Sequence, residues 1–274
     1  MPGRVNTLRV LALGDIVGKI GRQAVLQLLP GVKAEMKVNL VVAQAENLAH
    51  GIGVTRDTLE EVRAAGIDVF TGGNHVFQKQ GREVLADPAA RLLRPANYPE
   101  APGTGWAIFP VGGVKVALIN LQGQVFMKET VNNPFTLLET ILKGLPQDIA
   151  VILVDFHAEA TSEKVAMGWQ ADLQAAGRQV SAVWGTHTQV PTADARVLPG
   201  GTGCVTDLGM SGVRDGVIGV AKDGILRTFR TGLSEQHVIP DTGVAVFNAC
   251  LFEINSETGK CLLVNRIDRE VTIG

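Results

Sequence analysis

The chain has 274 residues, which is enough for one large α/β domain or two small ones. It carries 25 basic and 27 acidic residues, a net charge of −2, and so lacks the cationic excess typical of proteins that bind long nucleic acids. Hydrophobic residues make up 46% of the chain, so we expect a substantial core and exclude a disordered protein.

The first part of the chain alternates predicted strands and helices. Short apolar runs predict buried strands, and apolar residues at helical spacing predict the helices between them. In chain order these are a strand at Leu8–Leu13, a helix at Arg22–Lys37 after a glycine turn, a strand at Leu40–Ala45, a helix at Thr58–Ala65 with Thr55 as N-cap, and a strand at Asp68–Thr71. This alternation predicts a parallel sheet with right-handed crossover connections.

After Pro95 the pattern changes, and two β-forming runs separated by Gly112-Gly113 predict a hairpin. The chain beyond Arg196 is predicted as strands and glycine-rich turns. The other predicted elements are a helix at Pro134–Lys143, a strand at Ala150–Val154, a helix at Ser162–Ala176, a strand at Val180–Trp184, and strands at Val244–Ile254 and Cys261–Ile267. No repeat or linker divides the chain, so we predict a single α/β domain over residues 1–274, with two stacked sheets flanked by helices.

Hydropathy and cysteine spacing bear on where the protein works. The sequence has no apolar run of the roughly 18 residues that a membrane span needs, and residues 1–10 lack the apolar segment of a signal peptide. The three cysteines, Cys204, Cys250 and Cys261, are widely spaced, which is typical of reduced thiols. We therefore predict a cytoplasmic protein with no membrane partner.

Polar residues at the ends of predicted strands are the strongest functional signal. They are Asp15, Glu46-Asn47, Asn74-His75, His157 and His187. Because strand ends in an α/β domain lie on one edge of the sheet, these side chains are expected to meet there. Carboxylates, amide oxygens and imidazoles form a ligand set for one or two divalent metals. The pattern therefore predicts metal-assisted hydrolysis, with a small phosphate ester as the first candidate substrate.

The functional interpretation of these residues has to be weighed against an ordinary structural one. Asn74 and His75 follow two glycines, and on residue type alone a cap with a surface histidine is as good an interpretation as a site. Glu46 directly follows an apolar strand, where a carboxylate needs a partner. His157 and His187 stand at equivalent strand ends in a chain of only five histidines, which favours metal binding.

Longer blocks around these residues resemble a known family. Gly14-Asp15, Gly73-Asn74-His75 and Gly185-Thr186-His187 resemble the blocks of calcineurin-like metallophosphoesterases. Further blocks are similar to the YmdB-type branch, the bacterial 2′,3′-cyclic-nucleotide phosphodiesterases. These are Glu46-Asn47 in place of the usual aspartate block, the string 155–164 (DFHAEATSEK), Pro191–Asp194 and Thr206–Met210. The resemblance runs from about Leu8 to Ile267, nearly the whole chain.

The resemblance implies a four-layer α/β/β/α sandwich with a centre of two divalent metal ions, iron in the first place and manganese or magnesium as alternatives. The implied ligands are Asp15, Glu46 and Asn47 for the first metal, a bridging Glu46, and Asn74, His157 and His187 for the second. His75 would be the general acid, and a metal-bridging hydroxide would attack phosphorus in line. A 2′,3′-cyclic nucleotide would yield a nucleoside monophosphate, with the 3′-phosphate preferred.

One position departs from the family pattern. The family block ends Gly-Thr-His-Thr-His, whereas this chain has Gln189 in the last position. That histidine would be a ligand of the first metal, and an amide oxygen is a weaker donor than imidazole for iron or manganese. We therefore expect a looser or empty first site and a shift toward harder cations such as Mg²⁺ or Mn²⁺.

Two alternatives to a phosphodiesterase stay open. A general phosphatase, acting on phosphomonoesters, would use the same chemistry, and only pocket shape separates the two. A degenerate regulator that binds a nucleotide or phosphate without turnover is favoured by Gln189 alone. A purely structural metal site is set aside, because such sites usually use cysteines and none lies near these blocks. A homo-oligomer is expected only because oligomers are common among enzymes.

Overall fold

Two β-sheets stack face to face in the computed structural model of the chain, which describes residues 6–274 apart from the side chain of Ala175. The first sheet has seven strands: β1 (Thr7–Ile16), β2 (Leu40–Gln44), β3 (Val69–Thr71), β4 (Leu92–Leu93), β11 (Met210–Val213), β12 (Gly243–Asn255) and β13 (Cys261–Ile273). Their order is β13-β12-β11-β1-β2-β3-β4. From β11 through β4 all neighbouring strands are parallel, as the strand–helix alternation predicts.

The second sheet has six strands in the order β5-β6-β7-β8-β10-β9. They are β5 (Trp106–Val111), β6 (Val114–Gln122), β7 (Val151–His157), β8 (Ala182–Thr186), β9 (Arg196–Val197) and β10 (Gly203–Val205). The first two form the predicted antiparallel hairpin, and β6, β7, β8 and β10 are parallel. The second sheet therefore also directs several strand ends toward one edge.

The described part of the chain has six α-helices, and several of them cover the outer faces of the two sheets. The six helices are α1 (Gly18–Glu35), α2 (Arg56–Arg63), α3 (Gly81–Leu85), α4 (Pro134–Gly144), α5 (Thr161–Asp172) and α6 (Lys222–Thr231), with short 3₁₀ turns at Pro88–Ala90 and Ala175–Gly177. Thr55 caps α2 as predicted, its hydroxyl accepting a hydrogen bond from the backbone of Thr58. None of the described helices has the length and hydropathy that a membrane crossing requires.

The core has three layers because successive strand residues point to opposite faces. On β1, Leu8 and Val10 face the second sheet, where they join a cluster that contains Trp184. Further along β1, Leu11 and Leu13 point to the opposite face, where they pack in the cluster that contains residues of α1. A third cluster joins the outer face of the second sheet to α4 and α5. The predicted α/β/β/α arrangement is thus confirmed. The prediction of a single domain over residues 1–274 stays a prediction, and its residues 1–5 lie outside the described range.

The end of β1 is where the first sheet opens. β1 pairs with β12 from Thr7 to Leu13 and then with β11 at Asp15 and Ile16, so β11 enters between the two longer strands. A Cβ at Gly14 would lie 2.0 Å from the carbonyl oxygen of Gly209, so only glycine permits this crossing. The arrangement places Asp15 beside the chain that enters β11.

Three sequence predictions of secondary structure are wrong. The first helix begins at Gly18 rather than Arg22, because the glycine has a positive φ of 62° and the chain turns and enters the helix at that residue. The helix α6 occupies Lys222–Thr231, where strands and turns were predicted. The last strand continues to Ile273, six residues beyond its predicted end at Ile267.

Candidate metal centre

The predicted site residues lie at strand ends of both sheets. Asp15 is near the end of β1, Glu46-Asn47 follows β2, and Asn74-His75 follows β3. His157 is the last residue of β7 and His187 comes directly after β8, on the second sheet. Because the two sheets stack with these ends on the same side, residues from one sheet contact residues from the other.

Glu46, His157 and His187 form the centre of the site. One ligand atom from each lies within 4.8 Å of the others. The Nε2 atom of His157 is 3.1 Å from Oε1 of Glu46, 3.1 Å from Nδ1 of His187 and 3.2 Å from Oδ1 of Asn74. The structure therefore brings together a carboxylate, two imidazoles and an amide oxygen, a donor set that fits a divalent cation.

Asp15 and Asn47 lie beside this cluster rather than within it. The carboxylate of Asp15 accepts hydrogen bonds from Nδ2 of Asn47 at 3.0 Å and from the backbone N–H of His187 at 3.2 Å. Asp15 is fully buried, and the Oδ1 atom of Asn47 faces the ring of His75. The two residues thus extend the site along the edge of the first sheet.

His75 occupies the open side of the site. Its backbone N–H donates to Oε2 of Glu46 at 2.8 Å, and its Nδ1 lies 3.2 Å from Oδ1 of Asn47. The side chain of His75 is 36% exposed, whereas that of Glu46 is 1% exposed. The imidazole can therefore reach a bound molecule from solvent while Glu46 stays covered.

Gln189 shares a cavity of about 220 Å³ with Glu46, Asn47, His75 and His187. The turn that carries it has unusual backbone geometry, with φ of 98° at His187 and 62° at Gln189. Non-glycine residues adopt such angles at a cost and only where the surroundings hold them. The structure thus brings the predicted ligand position to the site on a constrained turn.

A buried ion pair holds that turn. Thr188 donates to Oδ2 of Asp207 through both its backbone N–H and its hydroxyl. Lys164 donates to the same oxygen at 2.7 Å, and the side chains of Lys164 and Asp207 are 3% and 1% exposed. The ion pair therefore connects α5 to the turn between β8 and the site.

Burial and neighbouring charges shift the pKa values of the site residues. Burial and the neighbouring Glu46 carboxylate raise the pKa of Asp15 to about 7. Burial opposes the charge of Glu46 too, but the adjacent His157 outweighs it and holds the pKa of Glu46 below its usual range. Burial and repulsion from His157 lower the pKa of His187 to about 3. Burial lowers the pKa of His157, but the carboxylates of Glu46 and Asp15 outweigh it and raise that pKa to about 9. The site thus combines buried carboxylates with imidazoles, which are the donor types that suit a divalent cation.

Three residues that the sequence interpretation passed over orient His157. Its Nδ1 atom lies 3.1 Å from Nε2 of Gln44 and 3.0 Å from Oγ1 of Thr186. Thr186 in turn donates to Oδ1 of the buried Asp155 at 2.9 Å. These contacts leave Nε2 of His157 facing the cluster. The sequence feature that could have identified them is that each is a polar residue in, or at the end of, a mostly apolar buried strand.

Glu159 was also missed as part of the site. Its Oε2 atom is 3.0 Å from Nε2 of His187, while Nδ1 of the same ring faces His157. A carboxylate on the outer nitrogen of a histidine fixes the ring and its tautomer in metal sites. The sequence signal was its place in the string 155–164 that resembles the family, two residues after His157.

Stacked sheets flanked by helices, with a carboxylate–imidazole–amide cluster at their facing strand ends, define a phosphoesterase-like class of enzyme. The model of the family described as YmdB-like protein matches residues 11–267. The chain therefore belongs to the YmdB-like family, and both the family and the enzyme class predicted from sequence are confirmed.

Relatives and solved structures agree with this assignment. The chain is 37% identical over 261 residues to a 2′,3′-cyclic-nucleotide 2′-phosphodiesterase of Bacillus subtilis, covering 95% of this chain and 96% of the relative. A Mycoplasma genitalium protein with a phosphatase/phosphodiesterase name is 35% identical over 271 residues, 96% of this chain and 93% of its own length.

Two crystal structures share the fold. A Mycoplasma pneumoniae protein described as a novel phosphatase has a TM-score of 0.89 at 32% identity, covering 98% of this chain and 95% of that one. A Thermus thermophilus protein described as hypothetical has a TM-score of 0.86 at 35% identity, covering 96% of this chain and 99% of that one. The fold class predicted from sequence is therefore confirmed.

Proposed function

We propose that the chain is a binuclear metal-dependent phosphodiesterase that hydrolyses 2′,3′-cyclic nucleotides. The observation that carries the proposal is the cluster of Glu46, His157 and His187, whose ligand atoms lie within 4.8 Å of one another between two sheets. The name of the Bacillus subtilis relative supports the choice of substrate.

Two sets of ligands are proposed for the cations. Asp15, Glu46, Asn47 and Gln189 would hold the first, Glu46 would bridge, and Asn74, His157 and His187 would hold the second. When bound, the cations would act as Lewis acids on the phosphoryl group and activate water for attack. Iron is our first choice of metal and manganese or magnesium the alternatives. Since Gln189 offers an amide oxygen, we expect the first position to favour the harder ions.

His75 is proposed as the general acid. Its ring is partly exposed at the mouth of the site, and its contacts with Glu46 and Asn47 hold it beside the proposed metal ligands. From there it can deliver a proton to the departing ribose oxygen. Cleavage of the 2′ ester, as the name of the Bacillus subtilis relative specifies, would leave a nucleoside 3′-phosphate.

The test is hydrolysis of 2′,3′-cyclic AMP by Mn²⁺- or Fe²⁺-loaded protein, with His75→Ala as the variant. His50→Ala is the matched control, since His50 is an exposed histidine on the loop after Glu46-Asn47 and has no proposed role. We expect kcat to fall by about 10²-fold or more in His75→Ala and to stay unchanged in His50→Ala. Equal activity of all three proteins would contradict the role of His75.

A general phosphatase is the second candidate, because the Mycoplasma genitalium and Mycoplasma pneumoniae relatives carry phosphatase names. Para-nitrophenyl phosphate separates the two candidates, since a phosphodiesterase should prefer the cyclic diester by kcat/KM. Metal binding without turnover of either ester would favour the regulator, for which Gln189 is the supporting feature.

Location and assembly stay predictions. Cys204, Cys250 and Cys261 are free and buried, which supports a reducing compartment and hence the cytoplasm. A homo-oligomer is still expected on general grounds, and gel filtration with light scattering would test it.

A further inference from the structure

A second, larger cavity opens directly beside the candidate metal centre. Its volume is about 400 Å³, within the range of small-molecule sites. Asn47, His75 and Gln189 form one side of it, and all three also line the smaller cavity at the centre. A phosphoester bound at the centre can therefore extend its organic part into this larger cavity.

Most of the other lining residues are apolar. They include Val17, Ile218, Ile225, Phe229 and Ile239. Ile225 and Phe229 belong to α6, a helix none of whose residues is buried. Phe229 is 81% exposed and Ile218 is 50% exposed, so an aromatic ring and an aliphatic side chain of the lining are accessible to a ligand. Apolar residues exposed together beside a polar site are typical of ligand recognition.

Two polar residues, Thr228 and His237, line the same cavity. The Oγ1 atom of Thr228 accepts a hydrogen bond from the backbone of Glu235 at 3.2 Å, which leaves its hydroxyl hydrogen able to donate. An apolar slot with a few polar groups fits a flat heteroaromatic ring whose edge carries donors and acceptors.

We propose that this cavity is the nucleobase subsite of the enzyme, with Phe229 as the stacking residue and Thr228 and His237 at the base edge. The inference rests on the proposed function, because the phosphate at the centre positions the nucleotide. A base suits the cavity better than a protein partner does, since stable protein interfaces bury about 800 Å² on each side and this feature is a pocket of nucleoside size.

The subsite gives Phe229 a specificity role that leaves the chemistry untouched. Base–aromatic stacking accounts for about tenfold or more in affinity for one base. Phe229→Ala should therefore raise KM for 2′,3′-cyclic AMP by about tenfold with little change in kcat. Glycerol 1,2-cyclic phosphate has the same five-membered phosphodiester ring without a base, and its KM should not change.

Matched variants separate stacking from a general disturbance of the helix. Phe229→Trp keeps an aromatic face and should retain the wild-type KM for 2′,3′-cyclic AMP. Leu233→Ala removes an apolar side chain that is 71% exposed just beyond α6 and is not among the lining residues. It should change the KM of neither substrate. The subsite is overturned if Phe229→Ala leaves both KM values unchanged, or if it raises them equally.

A binding measurement distinguishes failure of the subsite from failure of the proposed function. If wild-type protein hydrolyses neither diester, the proposed function fails. Calorimetry on the Mn²⁺-loaded protein, comparing 3′-AMP with glycerol 2-phosphate, then decides the subsite. Binding of 3′-AMP that is tighter than that of glycerol 2-phosphate and is lost in Phe229→Ala supports it. Equal binding of the two ligands overturns the subsite. A Phe229→Ala variant that changes only the sedimentation coefficient also overturns it, because the apolar residues of the cavity would then belong to a contact with a second copy of the chain.

Discussion

At the scale of single residues, His157 shows how the site is built. Its Nδ1 atom contacts Gln44 and Thr186, so its Nε2 atom faces Glu46, Asn74 and His187. The orienting residues offer no ligand atom to the cluster, yet they decide which nitrogen is available. Residues that orient ligands are therefore as testable as the ligands.

Glu159 gives the first such prediction. Because its carboxylate contacts the outer nitrogen of His187 at 3.0 Å, Glu159→Gln should weaken binding of Mn²⁺ by about 10- to 100-fold. Competition with a fluorescent chelator measures this directly. Glu257→Gln, an exposed glutamate in the turn between β12 and β13, is the control. An unchanged Kd in Glu159→Gln would show that the contact of Glu159 with His187 has no orienting role.

Gln189 gives the second prediction about a single residue. Restoring the family residue with Gln189→His should tighten the first metal position and raise the metal content of purified protein, because imidazole is a stronger donor than an amide for iron or manganese. Metal analysis by mass spectrometry, together with kcat/KM, tests this. Equal stoichiometry and activity in the two proteins would mean that residue 189 is not a ligand.

The cysteines give a pH-dependent prediction. Burial raises the pKa of both Cys204 and Cys250 to about 12. A thiol with a raised pKa stays protonated in the folded protein, so native alkylation by iodoacetamide should be negligible at about pH 9 and complete in urea. By linkage, stability should decline as pH rises above about 9, where unfolded thiols ionise and folded ones do not. Rapid native alkylation at that pH would contradict this.

At the scale of elements, the turn after β8 depends on α5. The buried Lys164–Asp207 pair is the link, with Asp207 accepting the hydrogen bonds of Thr188. Lys164→Met leaves Asp207 charged and unpaired, which should lower the free energy of unfolding by about 3–5 kcal/mol. Urea denaturation measures it.

A second variant makes that prediction specific to the charge. Removing both charges in the Lys164→Met, Asp207→Asn double variant should restore part of the lost stability, since no buried charge is then left alone. A double variant that is less stable than Lys164→Met would show that the cost came from packing.

The elements also show what local pattern can and cannot predict. The hairpin of β5 and β6 was predicted because two β-forming runs flank Gly112-Gly113. The helix α6 was missed although Ile225 and Phe229 have helical spacing, because Gly224 and Gly232 suggested turns. The apolar residues of α6 do share one face, so the helical pattern was present in the sequence, although none of them is buried in the core.

At the scale of the whole molecule, the site joins two sheets. Glu46 comes from the first sheet and His157 from the second, and their side chains are 3.1 Å apart. The sequence predicted that strand ends meet, because that rule needs only the order of strands and helices. Contacts across the sheets, such as those of Asp15 with the backbone of His187 or Glu46 with the ring of His157, depend on how the sheets stack and could not be predicted.

We propose that the centre formed by Glu46, His157 and His187 binds the metal on which phosphodiester hydrolysis depends. The most direct measurement is hydrolysis of 2′,3′-cyclic AMP after removal of metal with EDTA and its readdition as Mn²⁺ or Fe²⁺, in wild-type protein and in Glu46→Gln. We predict that EDTA abolishes activity, that metal restores it in the wild type, and that Glu46→Gln is not restored. Full activity of the wild type in EDTA, or a Glu46→Gln variant that recovers like the wild type, would contradict the claim.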